Sequence, residues 1–131
     1  MSLEENGVAI FFAAFLMVGC AGDGADSGGV DSTCRQPALS YSNFGEGFMD
    51  KHCNGCHSSY LPEGSRGNAP LGVDLNSYAD VLSWVHRVDQ RATGDAPTMP
   101  PGGGPEPSEV RQLEEWLRCA VWDDAIEMGY Q

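Results

Sequence analysis

Cys53, Cys56 and His57, inside the stretch Lys51-His52-Cys53-Asn54-Gly55-Cys56-His57, are the residues of this chain whose types and spacing could do chemistry together. Side chains three positions apart share one face of a helical turn, so the two thiols can each form a thioether to one of the two vinyl groups of a haem. His57 then offers its imidazole to the iron, and Cys-x-x-Cys-His is the attachment signature of c-type haem. Asn54 and Gly55 are small enough for a porphyrin edge to lie close to the backbone, and Gly55 relaxes the turn where a helix has to end. Two other chemistries use paired cysteines. A zinc site wants a second Cys or His pair at comparable spacing, whereas Cys34 and Cys119 stand alone, far to either side. A thioredoxin-like redox pair wants a βαβ frame rich in Val and Ile, which this chain lacks. The residues favour one covalent haem c.

With 131 residues, 17 of them Gly and 8 Pro, the chain has room for one small domain with much loop. So small a core is hard to stabilise alone, and a covalent haem supplies an apolar body for helices to wrap. The formal net charge is −12 and the first basic residue is Arg35, which excludes nucleic acid as a partner and suits a redox partner protein with a basic patch. The five cysteines divide into Cys53 and Cys56 for haem, Cys20 after an apolar run, and Cys34 with Cys119 as a remaining pair for a disulfide. Covalent haem and a disulfide both imply an oxidising, extracytoplasmic compartment.

Residues 8–18 form an apolar run of signal-peptide length, too short to span a bilayer. Leu16-Met17-Val18-Gly19-Cys20 resembles a bacterial lipobox, so residues 1–19 are expected to be a lipoprotein-type signal peptide and Cys20 the acylated mature N-terminus. Met17 and Val18 are less usual at their places, and Glu4 and Glu5 stand where Lys or Arg is the rule; plain cleavage or an uncleaved anchor is the alternative. Residues 20–38, rich in Gly, Asp and Ser, cannot bury themselves and should serve as a flexible tether.

Three helices are expected in residues 39–122. The first starts near Ser42 or Asn43 and runs through Gly45, Phe48 and Met49 into the haem motif. From Ser58 to Asp74, Gly64, Gly67, Gly72, Pro62 and Pro70 forbid a long regular element, so this loop should drape over the haem edge. Asn76 or Ser77 caps a second helix, whose Tyr78, Val81, Leu82, Val85 and Val88 share one face with Trp84 on its flank and His86 at its edge. Gly94 stops it, and a Pro and Gly segment containing Met99 follows. Ser108 caps the last helix, which buries Val110, Leu113, Leu117, Ala120 and Val121; residues 123–131 read as a fraying tail. No repeat, strand or coiled-coil heptad is evident.

Three features make the region from about Ser40 to Trp122 resemble the small monohaem c-type cytochromes of class I. Gly45 stands eight residues before Cys53, where that family keeps a small residue so that its first and last helices cross closely. Leu113-Glu-Glu-Trp116-Leu117 is similar to the Leu-x-x-aromatic-Leu of its last helix. Ala69-Pro70-Leu71 stands at about the distance of the family's Pro, whose carbonyl accepts the ligand histidine's second N–H, so the resemblance gives Pro70 that role. It implies an all-α fold of three main helices around a covalent haem.

The expected function is electron transfer by a lipid-anchored monohaem cytochrome at the periplasmic or cell-surface face of a bacterial membrane, as a monomer and without enzymatic activity of its own. Met99 is the expected sixth ligand opposite His57, in a loop stiffened by Pro97, Pro100 and Pro101. His52 and Met49 precede the motif on the proximal side and Met128 lies in the tail, which leaves His86 as the alternative. The rival functions are a haem-based small-ligand sensor and an accessory haem subunit of a larger oxidoreductase.

Overall fold

Trp116, with no exposed surface, is the side chain around which the first and last helices are fitted. A computed structural model describes residues 33–130, and the regular elements among them are all helical. A π-helical turn, Tyr41–Gly45, runs directly into α1, Glu46–His52. Then come α2, Tyr78–Ala92, and α3, Pro107–Trp116, which continues through a second π-helical turn, Leu117–Val121, into α4, Trp122–Glu127. The expected all-α class is what the described residues adopt. No described helix is long and apolar enough to cross a membrane. The signal segment 1–19, Cys20 and most of the tether lie outside the described residues.

Local chemistry accounts for each start. Ser40, not Ser42 or Asn43, caps the first helix, and Asn43 is its reciprocal partner: Asn43 N–H donates to Ser40 Oγ at 3.2 Å while Ser40 N–H donates to Asn43 Oδ1 at 2.7 Å. Ser77 and Asp80 form the same box on α2, where Ser77 N–H reaches Asp80 Oδ2 at 2.9 Å. The apolar stripe of α2 then buries Val81, Leu82, Val85, Val88 and Ala92. The last helix starts one residue before the expected Ser108 cap, with Pro107 in its first turn, where a missing N–H costs nothing.

The first and last helices approach each other closely at Gly45 and Trp116. A Cβ built on Gly45 would lie 2.4 Å from two ring carbons of Trp116, so no larger residue fits without displacing a fully buried indole. Phe48, Met49, Leu113, Trp116 and Leu117 join the stripe of α2 in one core. Tyr41, Phe44 and Tyr78 complete the indole's surroundings, with ring centroids 5.9–6.4 Å from it.

Of the expected fraying tail, 123–131, the described part 123–130 is ordered against the core. Val121 and Ala125 extend the buried stripe by one further turn, with Ala125 fully buried, and Tyr78 Oη donates to Asp124 Oδ2. Gly129, at φ +81°, ends α4: its N–H donates to the Ile126 carbonyl and that of Tyr130 to the Ala125 carbonyl, which satisfies the last free acceptors.

Cys34 and Cys119 are joined in a disulfide, with Cα atoms 6.0 Å apart and a sequence separation of 85. Beside it Arg35 Nε and Nη2 fork onto the Glu115 carboxylate at 2.7–3.0 Å. A closed loop of this length stabilises by about 4 kcal/mol through the entropy it removes from the unfolded chain. Reduction, or Cys34→Ser with Cys119→Ser, should therefore lower the unfolding free energy by up to about 4 kcal/mol in denaturant titration. Unchanged stability after reduction would show that the bridge constrains nothing.

Candidate functional site

The haem motif sits where α1 gives way to a turn. The helix ends at His52, and Cys53–His57 fold back on themselves, with the N–H groups of Cys56 and His57 both donating to the Cys53 carbonyl at 3.0 and 2.9 Å. This tight turn, and not a continuous helix, brings Cys53, Cys56 and His57 together. All three line one cleft of about 540 Å³. The floor of that cleft comes from Phe48 and Leu75, one wall from Trp84 and Val88 of α2, and another from Gly67, Ala69, Pro70 and Val73 of the long loop.

Met99 lines the same cleft, although 42 residues separate it from His57. Its approach is fixed by backbone: the N–H groups of Thr98 and Met99 both donate to the Arg91 carbonyl at the end of α2, at 2.8 and 2.9 Å. That end is held in turn, since Gly94 N–H donates to Glu114 Oε1 of α3 at 2.8 Å. His86 is elsewhere, exposed and packed edge-on against Trp122 with ring centroids 4.6 Å apart. Met49 is wholly inside the core, and Met128 is exposed and away from the cleft. His52 lines the cleft, but its Nε2 lies 3.3 Å from Glu109 Oε1, an oxygen it shares with Lys51 Nζ at 2.6 Å. Lys51, the Glu106 backbone and His52 together hold the Glu109 carboxyl down at about 2.

His57 has one ring nitrogen committed. Its Nδ1–H donates to the Val73 carbonyl at 2.9 Å, which fixes the tautomer and leaves Nε2 without a partner among the described residues. The role given to Pro70 by resemblance belongs to Val73. Leu75 N–H donates to the His57 carbonyl at 2.8 Å and so draws Val73 against the ring, while the Pro70 carbonyl is taken by Arg66 Nη2 at 3.1 Å.

Arg66 is the residue that sequence reasoning missed. It is 1% exposed, and its guanidinium gathers the carbonyls of Ser58, Ala69, Pro70 and Val73 and the Asp74 carboxylate. One signal was available: Arg66 is the single Lys or Arg between Lys51 and Arg87, in a loop with Asp74 eight residues on.

The chemistry of the donor set decides among the readings of the paired cysteines. A redox dithiol needs a thiol whose pKa is depressed, whereas burial pushes the Cys53 thiol up to about 12. Cys53 and Cys56 are free thiols, and no group of three His, Cys, Asp or Glu side chains among the described residues could hold a metal ion as zinc requires. An iron held in a porphyrin asks less of the chain: one imidazole, one further ligand, two thiols for the ring and an apolar cleft. These residues fit it. Gly67 makes room as well, since a Cβ there would lie 3.0 Å from Cys56 Sγ. Arg87 and Arg91 line the rim without an ion pair among the described residues and could take the two haem carboxylates.

No family model matches the chain, and no curated protein or solved structure does either. What fold and site define is an all-α domain whose cleft offers two thiols, a tautomer-fixed imidazole and a thioether to one space.

Proposed function

We propose that this chain is a monohaem c-type cytochrome of class I type, an electron carrier with His57 and Met99 as axial ligands. The carrying observation is that one cleft is lined by Cys53, Cys56, His57 and Met99, while His86 is turned away onto Trp122. The haem would supply the one-electron couple. Cys53 and Cys56 would hold it by thioethers, and the Val73 carbonyl would keep His57 Nε2 available. Leu75, Trp84 and Val88 would exclude water from most of the ring, so that a change of charge reorganises little around it.

The purified protein should keep its haem after denaturation and extraction with acidified organic solvent, and Cys53→Ala with Cys56→Ala should release it. Extraction of the wild-type haem under those conditions would end the proposal.

The location and partners proposed rest on the sequence. Cys20 would be acylated and hold the domain at a bacterial membrane, facing the periplasm or cell surface, and the mature chain, without Glu4 and Glu5, would keep a formal charge of −10 (−12 + 2) to steer it to a basic patch on its redox partner. Electron-transfer rates should then fall as salt is added, and mass spectrometry should find diacylglycerol on Cys20. A mature chain beginning elsewhere would refute the anchor, and salt-independent rates would refute the steering.

A further inference from the structure

The long loop between α1 and α2 is built around a cation. Arg66 Nη1 donates to the Ser58 carbonyl; Nη2 donates to the carbonyls of Pro70 at 3.1 Å and Val73 at 3.0 Å and to Asp74 Oδ1 at 2.7 Å; Nε is 3.4 Å from the Ala69 carbonyl. Burying a guanidinium costs several kcal/mol unless a partner and hydrogen bonds satisfy it, and here both do.

What distinguishes this arrangement is the Val73 oxygen. It accepts from His57 Nδ1 at 2.9 Å and from Arg66 Nη2 at 3.0 Å, so one carbonyl serves the imidazole and a full positive charge at once. A carbonyl oxygen has two lone pairs, and a charged donor on one draws electron density that the other can no longer give. The hydrogen bond that His57 Nδ1–H donates to this oxygen is weakened accordingly, the ring keeps less anionic character, and it donates less charge through Nε2. Outer partners of a histidine ligand tune the metal in this way.

We propose that Arg66 is a positioning residue that sets the donor strength of His57 through the Val73 carbonyl and so raises the reduction potential of the haem. The inference rests on the haem reading above. Asp74 is its counterweight, since its carboxylate neutralises part of the charge that Arg66 brings to that oxygen.

The test uses the holoprotein and two readouts, the reduction potential and the proton resonance of His57 Nδ1–H in the ferrous state. Asp74→Asn keeps an amide oxygen for Arg66 and removes the neutralising charge. The potential should shift upward and the Nδ1–H resonance to lower frequency, as for a weaker hydrogen bond. Arg66→Gln should shift both the other way. If Arg66→Gln takes up no haem, Asp74→Asn decides alone. A potential that is unmoved or falls in Asp74→Asn overturns the inference, and so does a rise with the Nδ1–H resonance unmoved, which would be a charge effect that bypasses Val73. Failure of the wild-type protein to carry covalent haem would instead defeat the reading beneath it.

Discussion

Met99→Ala should lower the reduction potential of the holoprotein and open its iron to carbon monoxide, while His86→Ala should do neither. A thioether sulfur is a soft ligand that favours ferrous iron, and axial-ligand identity moves haem potentials over a span of about 0.8 V. Losing it should therefore give the largest redox effect of any single substitution outside the motif. Carbon monoxide binding should go from undetectable to stoichiometric in the reduced protein, because no other methionine among the described residues can replace Met99: Met49 is sealed in the core and Met128 is exposed and does not line the cleft. His86 is held edge-on against Trp122 and would have to leave α2's outer face to reach iron. A wild-type protein that already binds carbon monoxide rapidly would favour a small-ligand sensor, and a potential moved by His86→Ala but not by Met99→Ala would make this a bis-histidine haem.

Gly45→Ala should be the most damaging single methyl group that can be added to this fold. The new Cβ would sit 2.4 Å from two carbons of the Trp116 ring, and Tyr41, Phe44 and Tyr78 leave that ring nowhere to go. Overpacking of this kind costs about 1–3 kcal/mol. For a domain of this size each kcal/mol is worth roughly 4–8 °C in Tm. Gly47→Ala, two residues along the same helix, meets nothing within 4 Å and should stabilise by about 0.5–1 kcal/mol, because glycine loses more backbone entropy on folding. A smaller ring at Trp116 should relieve the first substitution, so Gly45→Ala with Trp116→Phe should cost less than the two separately. If Gly45→Ala is as well tolerated as Gly47→Ala, the helix crossing is not where stability is decided.

What could be read from residues alone was whatever depends on short-range spacing. The Cys53, Cys56, His57 turn and the stripe of α2, with Asn76 or Ser77 as its cap, follow from periods of three and four, while the small residue at Gly45 came from the resemblance. The Cys34–Cys119 bridge followed from counting. Other features depend on contacts that no local pattern encodes. Arg66 stands between Ser65 and Gly67 in a loop whose Gly and Pro residues show only that no long regular element forms, and only the folded path of residues 58–74 turns four carbonyls toward it. For the same reason the partner of His57 shifted from Pro70 to Val73, since the Leu75 to His57 backbone bond sets the register there. The last turns of chain misled for a different cause. Asp123, Asp124 and Glu127 dominate their composition, yet helix formation there needs only Ala125 inward and Gly129 to close the end.

The disulfide corner has a mechanical meaning. Cys34, Arg35, Glu115 and Cys119 bind the first described residues to the last long helix, and none of them lines the cleft. A pull on the chain at Thr33 is therefore borne by a covalent bond into the π-helical turn after α3 and spread through the core by Trp116. The Met99 loop and the Arg66 loop are not in series with it. A domain so wired takes a pull from its amino-terminal side into its last helices first, and not into the cleft that Cys53, Cys56, His57 and Met99 line.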